Sequence, residues 1–225
     1  MHRKLFSADV YSSDKEEYAR VTAFAEDGSQ TTKTVAYDDF VRSVASGIRT
    51  DGIKIGPLPQ GTLSMWIDNN SRKIAVFLKQ EQRMLTLSER GKEKKSFMVP
   101  FPALAVQMTV YADKTVPNRC FALASDEWPD ENTRLFRFPF GNVSTDGSIC
   151  MGGNISITEG KSLSQAVQEA LTMFLYSPYN GDYYGVNCMV SSGESLEDLL
   201  KRLNGKKEFP KELLKETEYT LRALV

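Results

Sequence analysis

Phe138-Pro139-Phe140-Gly141-Asn142-Val143-Ser144-Thr145-Asp146-Gly147-Ser148-Ile149-Cys150-Met151-Gly152-Gly153-Asn154 is the stretch on which the reading of the chain turns. Gly141, Asn142, Asp146 and Gly147 make it a loop by composition. Asp146-Gly147 is a turn dipeptide, and Gly152-Gly153 lets the backbone adopt φ > 0 or pass close to another group. One thiol, Cys150, stands between these flexible points, behind a β-branched residue that can anchor it. Asn142 lies eight positions upstream and carries an amide donor. A nucleophile held between two turns, with a hydrogen-bond donor nearby, suits acyl-transfer chemistry.

Working upstream, Leu135-Phe136-Arg137-Phe138 alternates and reads as the strand that delivers the chain to this loop. Before it, residues 104–111 and 120–124 read as two strands, with Cys120 a buried small hydrophobe. Residues 62–67, 73–78, 84–87 and 97–99 complete an antiparallel meander, and the charged run 90–95 is a solvated hairpin tip. Gly56-Pro57-Leu58-Pro59-Gln60-Gly61 marks a boundary, because its prolines cannot sit in a central strand. Residues 1–50 are expected to form an N-terminal β-rich extension. In it, strands near 5–11, 18–24 and 32–35 turn at Asp27-Gly28-Ser29 and precede a short helix bearing Tyr37, Phe40, Val41, Val44 and Ile48. The extension is either a layer packed on the main domain or a docking surface.

Downstream the periodicity turns helical. Ser162 and Gln165 have capping-box spacing, and Leu163, Val167, Ala170, Leu171 and Phe174 form one apolar face. Residues 177–185 read as a loop rich in aromatics, either a packed connection or a wall beside the Cys150 loop. Ser195 caps a helix bearing Leu196, Leu199, Leu200 and Leu203, and Pro210 is expected to open a last helix through Leu213, Leu214, Thr217 and Leu221. Strands first and helices last predict an α+β architecture over 51–225, with helices covering one sheet face.

Composition narrows the chemistry. In 225 residues, 28 Lys and Arg face 29 Asp and Glu, a balance that draws the protein neither to nucleic acid nor to an anionic membrane. No apolar run is long enough to span a bilayer, and residues 1–6 lack a signal-peptide pattern. The expected compartment is the cytoplasm. Cys120, Cys150 and Cys188 lack metal-ligand spacing, and Cys188 reads as structural. The single histidine, His2, sits at the extreme N-terminus. Cys–His and Ser–His–Asp hydrolases and His-based zinc sites are therefore disfavoured, and neither a cofactor nor a metal is expected.

The register from Asn142 to Cys150 resembles that of ubiquitin-conjugating enzymes, whose segment reads N-[IV]-x-x-x-G-x-[IV]-C. Asn142, Val143, Gly147, Ile149 and Cys150 match it. Phe140-Gly141 stands where that family has His-Pro, and Met151-Gly152-Gly153 replaces Leu-Asp. The wider pattern resembles a bacterial branch without the motif histidine, prokaryotic E2 family D, typified by the B protein of PRTRC plasmid cassettes. Pro59-Gln60-Gly61-Thr62-Leu63 with Trp66, then Pro100-Phe101-Pro102-Ala103-Leu104, and Pro139 through Gly152 carry that resemblance.

The resemblance implies a UBC-like antiparallel meander covered by helices. It also implies transthioesterification: a ThiF-like activating enzyme hands the C-terminus of a ubiquitin-like protein to Cys150, and an amine then attacks. Asn142 either shapes the loop or donates to the oxyanion. Asp146, Gly147 and Gly152 would support the loop, and Asp182 and Tyr179 are accessory candidates. A JAB-type isopeptidase is the implied functional neighbour, in a plasmid or antiphage cassette. The alternative is a catalytically silent adaptor of the same fold that binds a ubiquitin-like protein.

Overall fold

The computed structural model describes residues 6–12, 17–25, 29–47, 57–68, 71–189 and 194–225. Its contacts divide the chain into two units, Met1–Lys54 and Ile55–Val225. In the first unit β1 (Phe6–Ser12), β2 (Glu17–Phe24) and β3 (Gln30–Ala36) form an antiparallel sheet in that order, followed by α1 (Tyr37–Gly47). Ala19 is its one fully buried apolar side chain among the described residues; Val10, Val41 and Val44 stay exposed. Ile48 and the Asp27-Gly28 turn lie outside the described residues.

The second unit holds β4 (Thr62–Ile67), β5 (Ser71–Leu78), β6 (Glu81–Leu87), β7 (Lys95–Phe101), β8 (Ala103–Tyr111), β9 (Lys114–Leu123), β10 (Arg134–Arg137) and β11 (Ser156–Ile157). After them come α2 (Leu163–Leu175), α3 (Tyr184–Asn187), α4 (Leu196–Leu203) and β12 (Glu216–Thr220). The main sheet runs β12-β10-β9-β8-β5-β4, with β11 added on β9, and all these pairings are antiparallel. The chain is thus of mixed α/β type, mostly antiparallel strands with few helices.

Two expectations need correction. Residues 84–87 and 97–99 do not continue the meander; β6 and β7 pair with each other, and β5 takes β8 as its neighbour instead. The burial pattern gives the reason. β8 is apolar on both sides and buried at all but two of its positions, as a central strand must be. β6 and β7 have one apolar side each: Leu85, Leu87, Val99 and Phe101 are buried while Met84 and Met98 are exposed. Such a hairpin suits a cover over the core, and the two-sided β8 takes the place beside β5.

The last helix is also not formed. Residues Lys211–Leu213 make one 3-10 turn, and Glu216–Thr220 is a strand on β10. Thr217 and Tyr219 alternate with exposed glutamates, a period of two that outweighs the helical spacing of the leucines. The hydroxyl of Thr217 donates to Leu135 O at 2.7 Å.

The core lies on both sides of the sheet, as pleat alternation requires. On one side Ile74, Val76, Leu104, Val106, Met108, Cys120 and Ala122 meet α2, the β6–β7 hairpin and α4. On the other, Phe77, Ala105, Phe121, Leu123 and Leu135 are closed over by Leu221 and Leu224. A full capping box of Ser162 and Gln165 starts α2. Among the described residues no helix is long and apolar enough to cross a membrane.

Candidate active site

The loop that follows β10 is anchored by aromatics before it reaches the thiol. Phe138 and Phe140 are fully buried on either side of Pro139. Phe140 lies 4.8 Å from Phe101 between ring centroids, and Phe138 stacks on Tyr179 at 6.2 Å. From there the chain enters a short ribbon. Val143 pairs with Ile149, Cys150 N donates to Asn142 O at 2.8 Å, and Ser144 N donates to Ser148 O at 2.9 Å.

The ribbon is also a continuation of the sheet. Ile149 N donates to Asn118 O at 2.9 Å, and Cys120 N donates to Gly147 O at 2.8 Å, both on β9. The edge of β9 is therefore taken by β11 at Lys114 and Thr115, by the ribbon at 118–120, and by β10 at Phe121 and Ala122. A sheet edge left unpaired would be a liability. Here it serves as the rail that sets where Cys150 emerges.

The turn at its tip is built around Asp146. Its carboxylate accepts from Ser144 Oγ, from Ser148 N at 3.1 Å and from Ser148 Oγ at 2.9 Å. These bonds, led by that from the Ser144 hydroxyl, lower the Asp146 pKa to about 2. A carboxylate so engaged is a poor base and a good turn brace. Arg119 crosses from β9 and donates to Asp146 O at 3.2 and 2.7 Å, with its guanidinium over Phe121 and Tyr219. Gly147 is required twice over: φ is +86°, and an added Cβ would lie 2.4 Å from the Phe121 ring.

Asn142 has φ +66°, one of two non-glycine residues with positive φ among those described. Asparagine tolerates that region better than most. Its Nδ2 donates to Pro178 O at 2.8 Å, which ties the ribbon to the 177–185 segment. Gly141 meets the same segment so closely that a Cβ there would stand 2.0 Å from Asn180 O. The two segments therefore form one wall, and Asn142 and Cys150 are joined through the backbone.

The accessory candidates separate. Tyr179 is not at the surface: it is fully buried, its ring packs against Phe101, Phe138 and Phe140, and its hydroxyl faces Phe174 O and Leu175 O at 3.4 Å. Its size and apolar neighbours make it a core anchor. Asp182 is exposed and forms an Asx-type turn, its backbone N donating to Asn180 Oδ1 at 3.0 Å and its Oδ2 accepting from Asn180 Nδ2 at 2.9 Å.

The three thiols differ in setting. Cys150 is exposed, whereas Cys120 and Cys188 are buried. Burial pushes the Cys120 thiol well above its ordinary range and the Cys188 thiol up to about 12. A thiol held neutral is inert as a nucleophile. Beyond Cys150, Gly152 (φ +58°) and Gly153 (φ +88°) face open space. Among the described residues no three His, Cys, Asp or Glu side chains converge to hold a metal ion.

The pattern that defines prokaryotic E2 family D matches residues 36–217. The chain belongs to prokaryotic E2 family D. Membership gives it an E2-like role in general terms, in ubiquitin-like conjugation, with a ubiquitin-like protein and an activating enzyme as the partner classes. The match runs from the end of β3 to the start of β12 and so takes in the whole Cys150 loop. No curated protein and no solved structure matches the chain.

Arg119 and Asn187 escaped the reading of the sequence, as did the acceptor role of the Pro178 carbonyl. Asn187 is buried and donates to Val143 O at 2.7 Å. These contacts span 27, 44 and 36 positions, so no local pattern announces them.

Proposed function

We propose that Cys150 accepts the C-terminus of a ubiquitin-like protein as a thioester and passes it to an amine. The observation that carries this reading is an exposed thiol at the end of a ribbon bonded to the edge of β9. The fold reading that goes with it is UBC-like. β4-β5-β8-β9 would be the meander, α2 the covering helix and β6–β7 an insertion, with 1–50 an extension that precedes the domain 51–225 in sequence.

In the first step the Cys150 thiolate attacks the carbonyl carbon of the thioester held by a ThiF-like activating enzyme. A new C–S bond forms to Cys150, and the activating enzyme leaves as a thiolate. In the second step a deprotonated amine attacks the same carbon. The C–S bond to Cys150 breaks, an amide or isopeptide bond forms, and the amine proton passes to solvent while Cys150 leaves as thiolate. No imidazole is required, because the thiolate is already a good leaving group.

Asn142 acts first as a loop shaper in this scheme, since its backbone conformation and one Nδ2 proton are committed. The second Nδ2 proton is the donor left for an oxyanion. Asp146, Gly147 and Gly152 hold the loop, and Asp182 orients the incoming amine. A JAB-type isopeptidase would reverse the product within the same plasmid or antiphage cassette.

The test mixes the protein with its activating enzyme, ATP and the ubiquitin-like protein, and resolves the products with and without thiol reductant. A reductant-sensitive adduct is expected from the native chain and none from Cys150→Ala. No adduct from the native chain would leave a silent adaptor that binds the modifier without carrying it.

A further inference from the structure

The Val143–Ile149 pair is of the non-hydrogen-bonded kind, since the bonds of the ribbon are made by its neighbours, Asn142 with Cys150 and Ser144 with Ser148. The backbone polar groups of Val143 and Ile149 therefore point outward, to opposite sides. On the Ile149 side the N–H reaches Asn118 O on β9. On the Val143 side the carbonyl accepts from Nδ2 of Asn187, the last residue of α3, at 2.7 Å. The ribbon that presents Cys150 is thus gripped between the sheet edge and α3.

We propose that Asn187 is a positioning residue for Cys150, acting through Val143, and that α3 is the second jaw of this grip. The inference rests on the reading of Cys150 as the acyl acceptor. Three observations support it. Asn187 is fully buried, yet its Oδ1 has no hydrogen-bond partner among the described residues. A buried, half-satisfied amide is a poor choice for stability alone, because leaving a polar atom unpaired disfavours the folded state. What the residue does supply is one donor, aimed at the ribbon. α3 is in turn held from the strand that leads into the loop: Arg137 Nη1 donates to Val186 O at 2.7 Å. The same strand therefore sets both the entry of the loop and the position of the jaw that grips it.

Asn187→Leu keeps the volume and removes the donor. Amide hydrogen exchange of the full chain, without any modifier, should show the Ile149 and Cys150 amides exchanging about five- to tenfold faster, the scale of one lost hydrogen bond. Amides of β5 and β8 should be unchanged, and the melting temperature should change little, because removing the unpaired Oδ1 offsets leaving the Val143 carbonyl without its donor. Asn187→Asp, which replaces the donor with an acceptor facing Val143 O, should loosen the ribbon further. In the charging assay, Asn187→Leu should reduce the maximal rate of discharge and leave the half-saturating concentration of modifier unchanged. Uniform loss of protection across β5, β8 and β9, or failure to fold, would make Asn187 an ordinary core residue and overturn the proposal. So would unchanged exchange at Ile149 and Cys150. If the native chain forms no adduct at all, the reading of Cys150 fails while the exchange result still decides the role of Asn187.

Discussion

The two halves of the Cys150 loop obey opposite rules. From Gly141 to Cys150 backbone bonds tie the chain to β9 and to itself, the Asn142 amide ties it to the 177–185 segment, and its glycines have no room for a methyl group. From Met151 to Asn154 the half-buried Met151 packs against the core, the hydrogen bond made among the described residues is the turn bond from Asn154 N to Met151 O at 3.0 Å, and the glycines face open space. Glycine in the first half answers to close packing, and in the second to conformation alone. The thiol sits at the junction, so its approach side is open while its position is not.

The largest expected effect comes from breaking the first half. Gly147→Ala must push a Cβ into the buried Phe121 ring and hold an alanine at φ +86°. Gly141→Ala must displace the backbone of Asn180. Each should lower stability by about 3 kcal/mol as read by denaturant unfolding, Gly141→Ala through overpacking and Gly147→Ala through overpacking and backbone strain together.

Next is Asn142. Asn142→Ala removes the bond to Pro178 O and leaves a non-glycine residue at positive φ without its side-chain anchor, so charging and discharge should fall together. Asn142→Gly restores the backbone but not the amide. If Asn142→Gly charges normally and discharges about 100-fold more slowly, the amide also serves the oxyanion.

A smaller effect is expected in the second half. An alanine at Gly152 meets nothing within 4 Å and should cost only about 1 kcal/mol, from the positive φ alone, as read by denaturant unfolding. A loss as large as that of Gly147→Ala would erase the distinction between the halves.

The smallest effect is that of pH on the tip. The Asp146 pKa is lowered from an ordinary 3.8 to about 2, so its contribution is fully present above pH 4 and is lost only as pH falls toward 2. Exchange of the Ser148 amide, which donates to that carboxylate, should be insensitive to Asp146 titration from pH 5 to 8 and should rise below pH 4, beyond the intrinsic trend.

Much of this loop was legible in the sequence because its punctuation is local. Asp146-Gly147, Gly152-Gly153 and the eight-residue spacing of Asn142 and Cys150 all act within one turn or ribbon. The cap at Ser162 and the inward-facing Cys120 were legible for the same reason, each following from short-range pattern. The exchange of β6 for β8 beside β5 was not, since adjacency in sequence predicts adjacency in the sheet and only two-sided burial reverses it. The 177–185 segment read as either a packed connection or a wall beside the thiol, and the burial of its Tyr179 depends on Phe101 and Phe138, far off in the chain. Asn187 and Arg119 act through backbone carbonyls, which no side-chain motif records.

The most direct measurement is a trapping experiment on Cys150→Ser, read by intact-mass and peptide mass spectrometry. Charged by the activating enzyme, the variant should carry one modifier joined by an oxyester at residue 150 that survives thiol reductant and is cleaved by mild base. An adduct mapped to a lysine or to Cys120 or Cys188, or adduct formation that persists in Cys150→Ala, would contradict the assignment of Cys150 as the acyl acceptor.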